Sequence, residues 1–116
     1  MIHPLANWVE MVAKNNPEIT LAQLTGMGSH DAGTYTISTF KCCSGVSRTQ
    51  SIDLYGQFKA GSRLVDYRYG PVNLSDPQAL VVQHGIHLGT DYYKELEGVT
   101  RFLEENPHEF INLDIN

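Results

Sequence analysis

The chain has 116 residues and a formal net charge of −5. This length is enough for one small domain with a core of its own. Its eight Lys and Arg residues are scattered singly, and without a basic stripe the composition argues against nucleic acid as the main partner. No apolar run approaches the ~20 residues of a membrane-spanning helix. The first residues lack the basic and apolar regions of a secretion signal, so the compartment stays open.

The first half of the chain predicts two helices and one strand. Apolar spacing indicates a helix at residues 7–15 and another at 51–60. A strand is predicted at 21–27, running into the Gly-rich turn that carries His30. The Ser-, Thr- and Gly-rich stretch at 34–49 predicts a loop.

The second half predicts, in order, a strand at 63–69, a loop at 70–77, a strand at 79–83, a helix at 91–105 and a strand at 109–116. This β-α-β-loop-β-α-β order favours an α/β fold with a parallel sheet, and we expect one domain over residues 1–116. Aromatic packing in the core is expected for Tyr67, Tyr69, Tyr92 and Tyr93.

Two of the predicted strands carry one apolar and one polar face. The polar faces hold Asp66 and Arg68 in one strand and Asn112, Asp114 and Asn116 in the other. A parallel strand buried on both sides would be apolar on both faces. A polar inner face that leads to a mouth is typical of a catalytic barrel.

The candidate site residues are two histidines and one arginine. His30 and His84 each follow a strand-like segment, and Arg68 stands between them in the sequence. Two imidazoles can serve as a base and an acid near neutral pH, and a guanidinium suits a phosphate. The combination indicates cleavage of a phosphodiester without a metal. The adjacent Cys42 and Cys43 are expected to be free or buried thiols.

Four segments together resemble the X region of the phosphatidylinositol-specific phospholipase C family. They are LTGMGSHDAGTY at 24–35, GSRLVDYR at 61–68, HG at 84–85 and FLEENPHEFINLD at 102–114. The resemblance implies a TIM-type (β/α) barrel of the PLC-like phosphodiesterase kind. Such barrels need ~250 residues, so this chain would supply about the first four strands, the N-terminal half of the domain. Because half a barrel leaves two unpaired edges, we expect self-association or a missing C-terminal half.

The resemblance also implies a reaction, the cleavage of phosphatidylinositol to diacylglycerol and inositol 1,2-cyclic phosphate. His30 would be the general base toward the inositol 2-hydroxyl, and His84 the general acid toward the leaving oxygen. Arg68 would stabilise the phosphate, and Asp31 would orient His84. The expected partners are phosphatidylinositol or a related phospholipid and, transiently, a membrane surface.

The resemblance further indicates the bacterial-like, metal-independent type, with no metal and no cofactor. Calcium-dependent members carry a carboxylate where Arg68 stands and an amide where Asp31 stands. The resemblance also places Asp66 at the substrate, where calcium-dependent members have an acid, and here we expect it to pair with Arg68 or a histidine. It places Asn116 at the substrate too, where metal-independent members have a basic residue that helps to bind the headgroup. In metal-independent members the general base pairs with an aspartate from late in the barrel, and no residue of this chain is identified with it.

Two other functions stay open. An incomplete barrel could be a non-catalytic module that binds phosphoinositides or their headgroups. A divalent-metal phosphodiesterase could use His30, Asp66, His84 and Asp114 as ligands, although Arg68 in their midst argues against that arrangement.

Overall fold

The structure is a computed structural model that describes residues 5–38, 44–73 and 75–116. Its α-helices are α1 Trp8–Asn15, α2 Leu54–Lys59 and α3 Tyr92–Glu105. Its strands are β1 Met27–Ser29, β2 Ser62–Tyr67, β3 Tyr69–Asn73, β4 Asp76–His84, β5 His87–Asp91 and β6 Asn112–Ile115. The prediction about the thiols of Cys42 and Cys43 concerns residues outside the described ranges. In the described part of the chain, no helix has the length and apolar character needed to cross a membrane.

A parallel sheet in the order β1-β2-β6 forms the first layer of the fold. Ser29 lies opposite Val65, and Asp66 lies opposite Asp114. Both outer strands therefore bring their carboxyl ends to the same edge as β2. The predicted α/β class and the two faces of β2 are confirmed, because Val65 and Tyr67 are buried while Leu64 is exposed.

The strand predicted at 79–83 is present, but the prediction that it pairs parallel with the other strands is wrong. Residues 79–83 are extended, but they lie in β4, which pairs antiparallel with β3 and β5 in a second three-stranded sheet. The loop predicted at 70–77 is largely strand, and β5 was not predicted. Two tight turns produce this hairpin pair. Asn73 Oδ1 accepts hydrogen bonds from the backbone N–H groups of Ser75 and Asp76, and Gly85 has a φ of +59°.

The strand predicted at 21–27 is also wrong over most of its length. Leu21–Gln23 forms a 3-10 turn, and β1 begins only at Met27. The Gln23 side-chain oxygen accepts from the Thr20 backbone N–H at 3.0 Å, and the Thr20 carbonyl accepts from the Gln23 N–H at 3.0 Å. These reciprocal bonds stabilise a turn in place of an extended segment.

Helix α2 packs on β2 of the parallel sheet and on α3, and α3 in turn contacts β4 and β5. Asp53 and Asp91 begin the two helices by accepting hydrogen bonds from backbone N–H groups at 2.7 and 3.0 Å. Phe58 and Phe102 meet with ring centroids 5.3 Å apart, and both are fully buried. The core beneath the site is therefore a helix pair packed on Val65 and Tyr67.

The predicted tyrosine core is confirmed for part of its members. Tyr67 and Tyr92 are buried, with ring centroids 5.4 Å apart. Tyr69 is partly buried at the rim of this cluster, and its ring centroid lies 4.6 Å from that of Tyr92. Tyr93 is 60% exposed, so its core assignment is wrong. The preceding Tyr92 takes the inward position at the start of α3.

A buried ion pair anchors the amino end of β2. Arg63 and Glu109 have side chains 1% and 0% exposed and meet at 2.7 Å. Arg63 also donates to the carbonyls of Ala6, Phe58 and Ser62 at 2.7–2.9 Å. One guanidinium thus ties the start of the chain, the end of α2 and the segment before β6 to the strand that carries the site residues.

Candidate active site

The carboxyl ends of β1, β2 and β4 bring together the four predicted catalytic residues. His30 and Asp31 follow β1 directly, Arg68 follows β2, and His84 is the last residue of β4. Asp66, on the exposed face of β2, completes the cluster. The sequence predicted that these residues meet because they follow parallel strands of one sheet. In the structure they do meet, but His84 comes from β4 of the antiparallel sheet.

Asp31 lies at the centre of this cluster with its side chain fully buried. Its Oδ2 is 3.1 Å from Nε2 of His30 and 3.1 Å from Nε2 of His84, and its Oδ1 is 2.8 Å from Nε of Arg68. These contacts are close but not aligned as hydrogen bonds, as is common in catalytic groups without substrate. One carboxylate therefore joins both histidines and the arginine.

The backbone of Asp31 is in a left-handed conformation, with φ 48° and ψ 51°. Among the described residues it is the one non-glycine with positive φ. Such a conformation costs roughly 1–2 kcal/mol. It turns the carboxylate inward from the end of β1 while the Asp31 N–H donates to Asp66 Oδ2 at 3.3 Å.

Arg68 bridges the two carboxylates. It donates from Nε to Asp66 Oδ1 at 3.1 Å and from its terminal nitrogen to Oδ2 at 3.0 Å, a two-point contact. Burial alone would raise the pKa of Asp66, but hydrogen bonds from Arg68, the Asp31 N–H and His30 outweigh it and lower this pKa below its ordinary value. The hydrogen bond to Asp66 in turn raises the pKa of Arg68, so the pair stays ionised.

His30 is held from both its ring and its backbone. Its Nδ1 makes a 2.9 Å hydrogen-bond contact with Asp66 Oδ2, and 65% of its side chain is exposed. Its carbonyl accepts from Thr49 Oγ1 and Gln50 Nε2, both at 2.9 Å. Thr49 was predicted only as part of a loop, and the register of β1 on β2, which brings His30 beside Asp66, could not be derived from the sequence.

The structure positions Asn116 only through its backbone. Its N–H donates to the Tyr67 carbonyl at 3.2 Å and its carbonyl accepts from the Tyr69 N–H at 3.1 Å. Within the described ranges its side chain forms no hydrogen bond with the cluster around Asp31. Its predicted role in substrate binding stays a prediction, as do the roles of the other site residues.

An open groove of about 640 Å³ runs along the polar face of the parallel sheet, a size that suits a small-molecule headgroup. Residues from all three parallel strands line it, among them Gly28, His30, Asp66, Asn112 and Asp114. The groove thus begins at His30 and follows the polar face predicted from the sequence.

The cluster has the donor types of a metal site but also holds a competing cation. His30, Asp31 and Asp66 each offer a ligand atom, all within 4.8 Å of one another. Arg68 nitrogens lie 2.8 and 3.0 Å from the same two carboxylates. A divalent ion would have to displace the guanidinium, so the donor set does not fit a resident metal.

Comparisons with known proteins give relatives by sequence and by structure. No model of a known protein family matches the chain. The chain is 36% identical over 98 residues to the 1-phosphatidylinositol phosphodiesterase of Listeria monocytogenes, covering 82% of this chain and 29% of that protein.

Solved structures of the phosphatidylinositol-specific phospholipase C of Staphylococcus aureus are also similar. One, concerning modulation of that enzyme's membrane binding, matches 97% of this chain and 35% of its own with a TM-score of 0.79 and 26% identity. A single-residue variant of that enzyme matches 95% of this chain and 35% of its own, with a TM-score of 0.77 and 28% identity. The chain spans about a third of the length of these relatives, less than the half expected from the sequence. By sequence and structure, the chain is thus a relative of the bacterial phosphatidylinositol-specific phospholipases C, matched over that third of their length.

Proposed function

We propose that the chain carries the acid–base and phosphate-binding groups of a metal-independent phosphodiesterase that cleaves phosphatidylinositol to diacylglycerol and inositol 1,2-cyclic phosphate. The observation that carries the proposal is the buried Asp31 carboxylate, which contacts His30, His84 and Arg68 at once. This arrangement places two imidazoles that can transfer protons and one guanidinium cation around a single carboxylate. The names of the relatives supply the substrate class.

In this mechanism His30 Nε2 removes the proton from the inositol 2-hydroxyl. The freed oxygen forms a bond to phosphorus, and the bond between phosphorus and the diacylglycerol oxygen breaks. His84 protonates that leaving oxygen. Arg68 faces the phosphate and offsets the charge that grows on it, the task that a metal performs in other phosphodiesterases.

Asp31 acts on both ends of this reaction. Its Oδ2 lies 3.1 Å from Nε2 of His84 and orients the imidazole that donates to the leaving oxygen. Its Oδ2 also stands 3.1 Å from His30 Nε2, so one carboxylate faces both imidazoles. The same carboxylate holds Arg68 at 2.8 Å, which limits the rotamers that the guanidinium can adopt.

The proposed architecture is the first part of a TIM-type barrel. Strands β1 and β6 end the parallel sheet on either side, and Met27 in β1 and Ile115 in β6 are 56% and 43% exposed. Open edges with apolar residues favour further pairing, either with additional chain or with a second copy. The lipid substrate implies transient contact with a membrane surface.

The non-catalytic alternative has one observation in its favour. The chain matches about a third of its relatives' length, and its groove is open along one side. Such a groove could bind a phosphorylated inositol without completing the reaction.

Turnover and binding assays separate the two functions. We expect the chain to release diacylglycerol from a short-chain, soluble phosphatidylinositol in excess chelator, and His30→Ala to abolish this release. His108→Ala, at an exposed position between α3 and β6, is the matched control and should keep full activity. Saturable binding of inositol phosphate with no release by any variant would support the binding module, and release that requires a divalent ion would contradict the metal-independent mechanism.

A further inference from the structure

We propose that Thr49 is a positioning residue for the site, which acts together with Thr34 to hold Asp31 in its left-handed conformation. Asp31 supplies the carboxylate that joins both histidines and the arginine of the site, so the conformation of its backbone decides where these groups meet. The inference rests on the proposed function only for its kinetic consequence. The conformation of Asp31 itself can be measured whether or not the chain turns over substrate.

Two peptide planes decide the conformation of Asp31. Rotation about φ turns the residue against the peptide that carries the His30 carbonyl, and rotation about ψ turns it against the peptide that carries its own carbonyl. A non-glycine residue keeps a conformation at φ 48° and ψ 51° only where its surroundings hold it there. Groups that fix both carbonyls therefore fix the direction of the Asp31 carboxylate.

The hydroxyl groups of two threonines bind these two carbonyls. Thr49 Oγ1 donates to the His30 carbonyl at 2.9 Å, and Thr34 Oγ1 donates to the Asp31 carbonyl at 2.7 Å. The two hydroxyl oxygens lie 2.9 Å apart, and the Thr49 N–H donates to Thr34 Oγ1 at 3.0 Å. Because the Thr34 hydroxyl accepts from this N–H, it keeps its own proton to donate. The two threonines thus hold the peptide planes on both sides of Asp31.

The segment that carries Thr49 is also anchored away from Asp31. Ser47 is 5% exposed, and its hydroxyl lies 2.8 Å from Nδ1 of His87 in β5. His87 is the register partner of His84, so this short segment reaches from the hairpin that carries one histidine of the site to the turn that carries the other. Thr49 therefore presents its hydroxyl from a backbone that is fixed at a second point.

The exposed position of Thr49 makes it the better of the two threonines for a test, because Thr34 is 1% exposed and its replacement would disturb the core. Thr49→Val keeps the shape and removes the hydroxyl, whereas Thr49→Ser keeps the hydroxyl. Gln50 Nε2 also donates to the His30 carbonyl at 2.9 Å, so the double variant Thr49→Val, Gln50→Leu removes both donors and Gln50→Leu alone is its reference. Thr100→Val is the matched control, because it removes the hydroxyl of an exposed threonine in α3.

The test is the nuclear Overhauser effect between the amide and α protons of Asp31, measured in the ¹⁵N-labelled full chain. A φ of 48° brings these two protons close to eclipsed, so the effect is strong, and it weakens where φ becomes negative. We expect a strong effect in the unmodified chain, in Thr49→Ser and in Thr100→Val, a weaker one in Thr49→Val and the weakest in the double variant. The inference is overturned if the double variant keeps the strong effect, or if Gln50→Leu alone loses as much of it as the double variant.

In a chain that turns over substrate, the loss should appear in kcat, because Thr49 acts through the backbone of Asp31. We expect kcat of the double variant to fall at least about tenfold below that of Gln50→Leu, toward the ~10²-fold that a 1 Å displacement can cost, with KM changed by less than about twofold. Thr49→Ser should keep most of the rate. An unchanged kcat in the double variant would overturn the positioning role. If turnover is absent but the Asp31 signal behaves as expected, the proposed function fails and the positioning of Asp31 by Thr49 stands.

Discussion

The buried pair of Arg63 and Glu109 permits a stability prediction that tests how the site strand is anchored. Replacing Arg63 with Met removes a guanidinium whose side chain is 1% exposed and leaves a fully buried carboxylate without its partner. It also removes the donors to four carbonyls, those of Leu5, Ala6, Phe58 and Ser62. We expect the variant to lose most of the free energy of unfolding.

The magnitude follows from these contacts. Breaking a buried ion pair by removing one partner costs about 3–5 kcal/mol, and carbonyls left without donors add roughly 1 kcal/mol or more. Small domains have free energies of unfolding of about 5–15 kcal/mol. With a urea dependence near 1.5 kcal/mol per molar, the midpoint should fall by about 3 M.

Two further variants check the reasoning. Glu109→Gln should be milder, because the amide oxygen still accepts from the guanidinium, whose four carbonyl contacts remain. The double variant Arg63→Met, Glu109→Leu should be more stable than Arg63→Met alone, because no charge is left buried. Urea unfolding followed by circular dichroism measures all of them. A midpoint for Arg63→Met within about 0.5 M of that of the unmodified chain would refute the anchoring role.

Three other predictions concern the site and the pH dependence of stability. His84→Ala should lower the rate of diacylglycerol release at least ~10²-fold, and a rate equal to that of His108→Ala would remove His84 from the mechanism. Arg68→Lys should lower the rate strongly as well, because a point charge cannot make the two-point contact with Asp66; retention of full activity in steady-state assays would contradict this. Burial raises the pKa of Glu95 to about 7, above its unfolded value, so its contribution to stability is complete below about pH 4.5 and is lost as the pH rises through 7. Glu95→Gln should therefore be the more stable chain at pH 8, by on the order of 2 kcal/mol, and identical pH profiles of urea unfolding would show that the buried carboxyl does not titrate as described.

The grouping of the site was predictable because it depends on strand ends and residue types. His30 and His84 each follow a run with strand character, Arg68 lies within one, and the structure brings all three to Asp31. The alternation of polar and apolar residues in β2 likewise predicted which side faces the groove. Periodicity reports faces and ends well, because both are local properties of the chain.

Pairing partners were not predictable to the same degree. The turn at Asn73 and the left-handed Gly85 convert residues 69–91 into an antiparallel sheet, where the order of elements favoured a parallel strand. The contact between His30 and Asp66 depends on the β1–β2 register, which is set by tertiary packing. Tyr92 and Tyr93 are equally aromatic, and only the start of α3 decides which of them is buried.

The most direct test of the central claim is phosphorus NMR of the chain incubated with phosphatidylinositol micelles in excess chelator. The proposed mechanism predicts a resonance of inositol 1,2-cyclic phosphate that accumulates with the unmodified chain and is absent with His30→Ala. A resonance that appears only after a divalent ion is added, or that persists in His30→Ala, would contradict it.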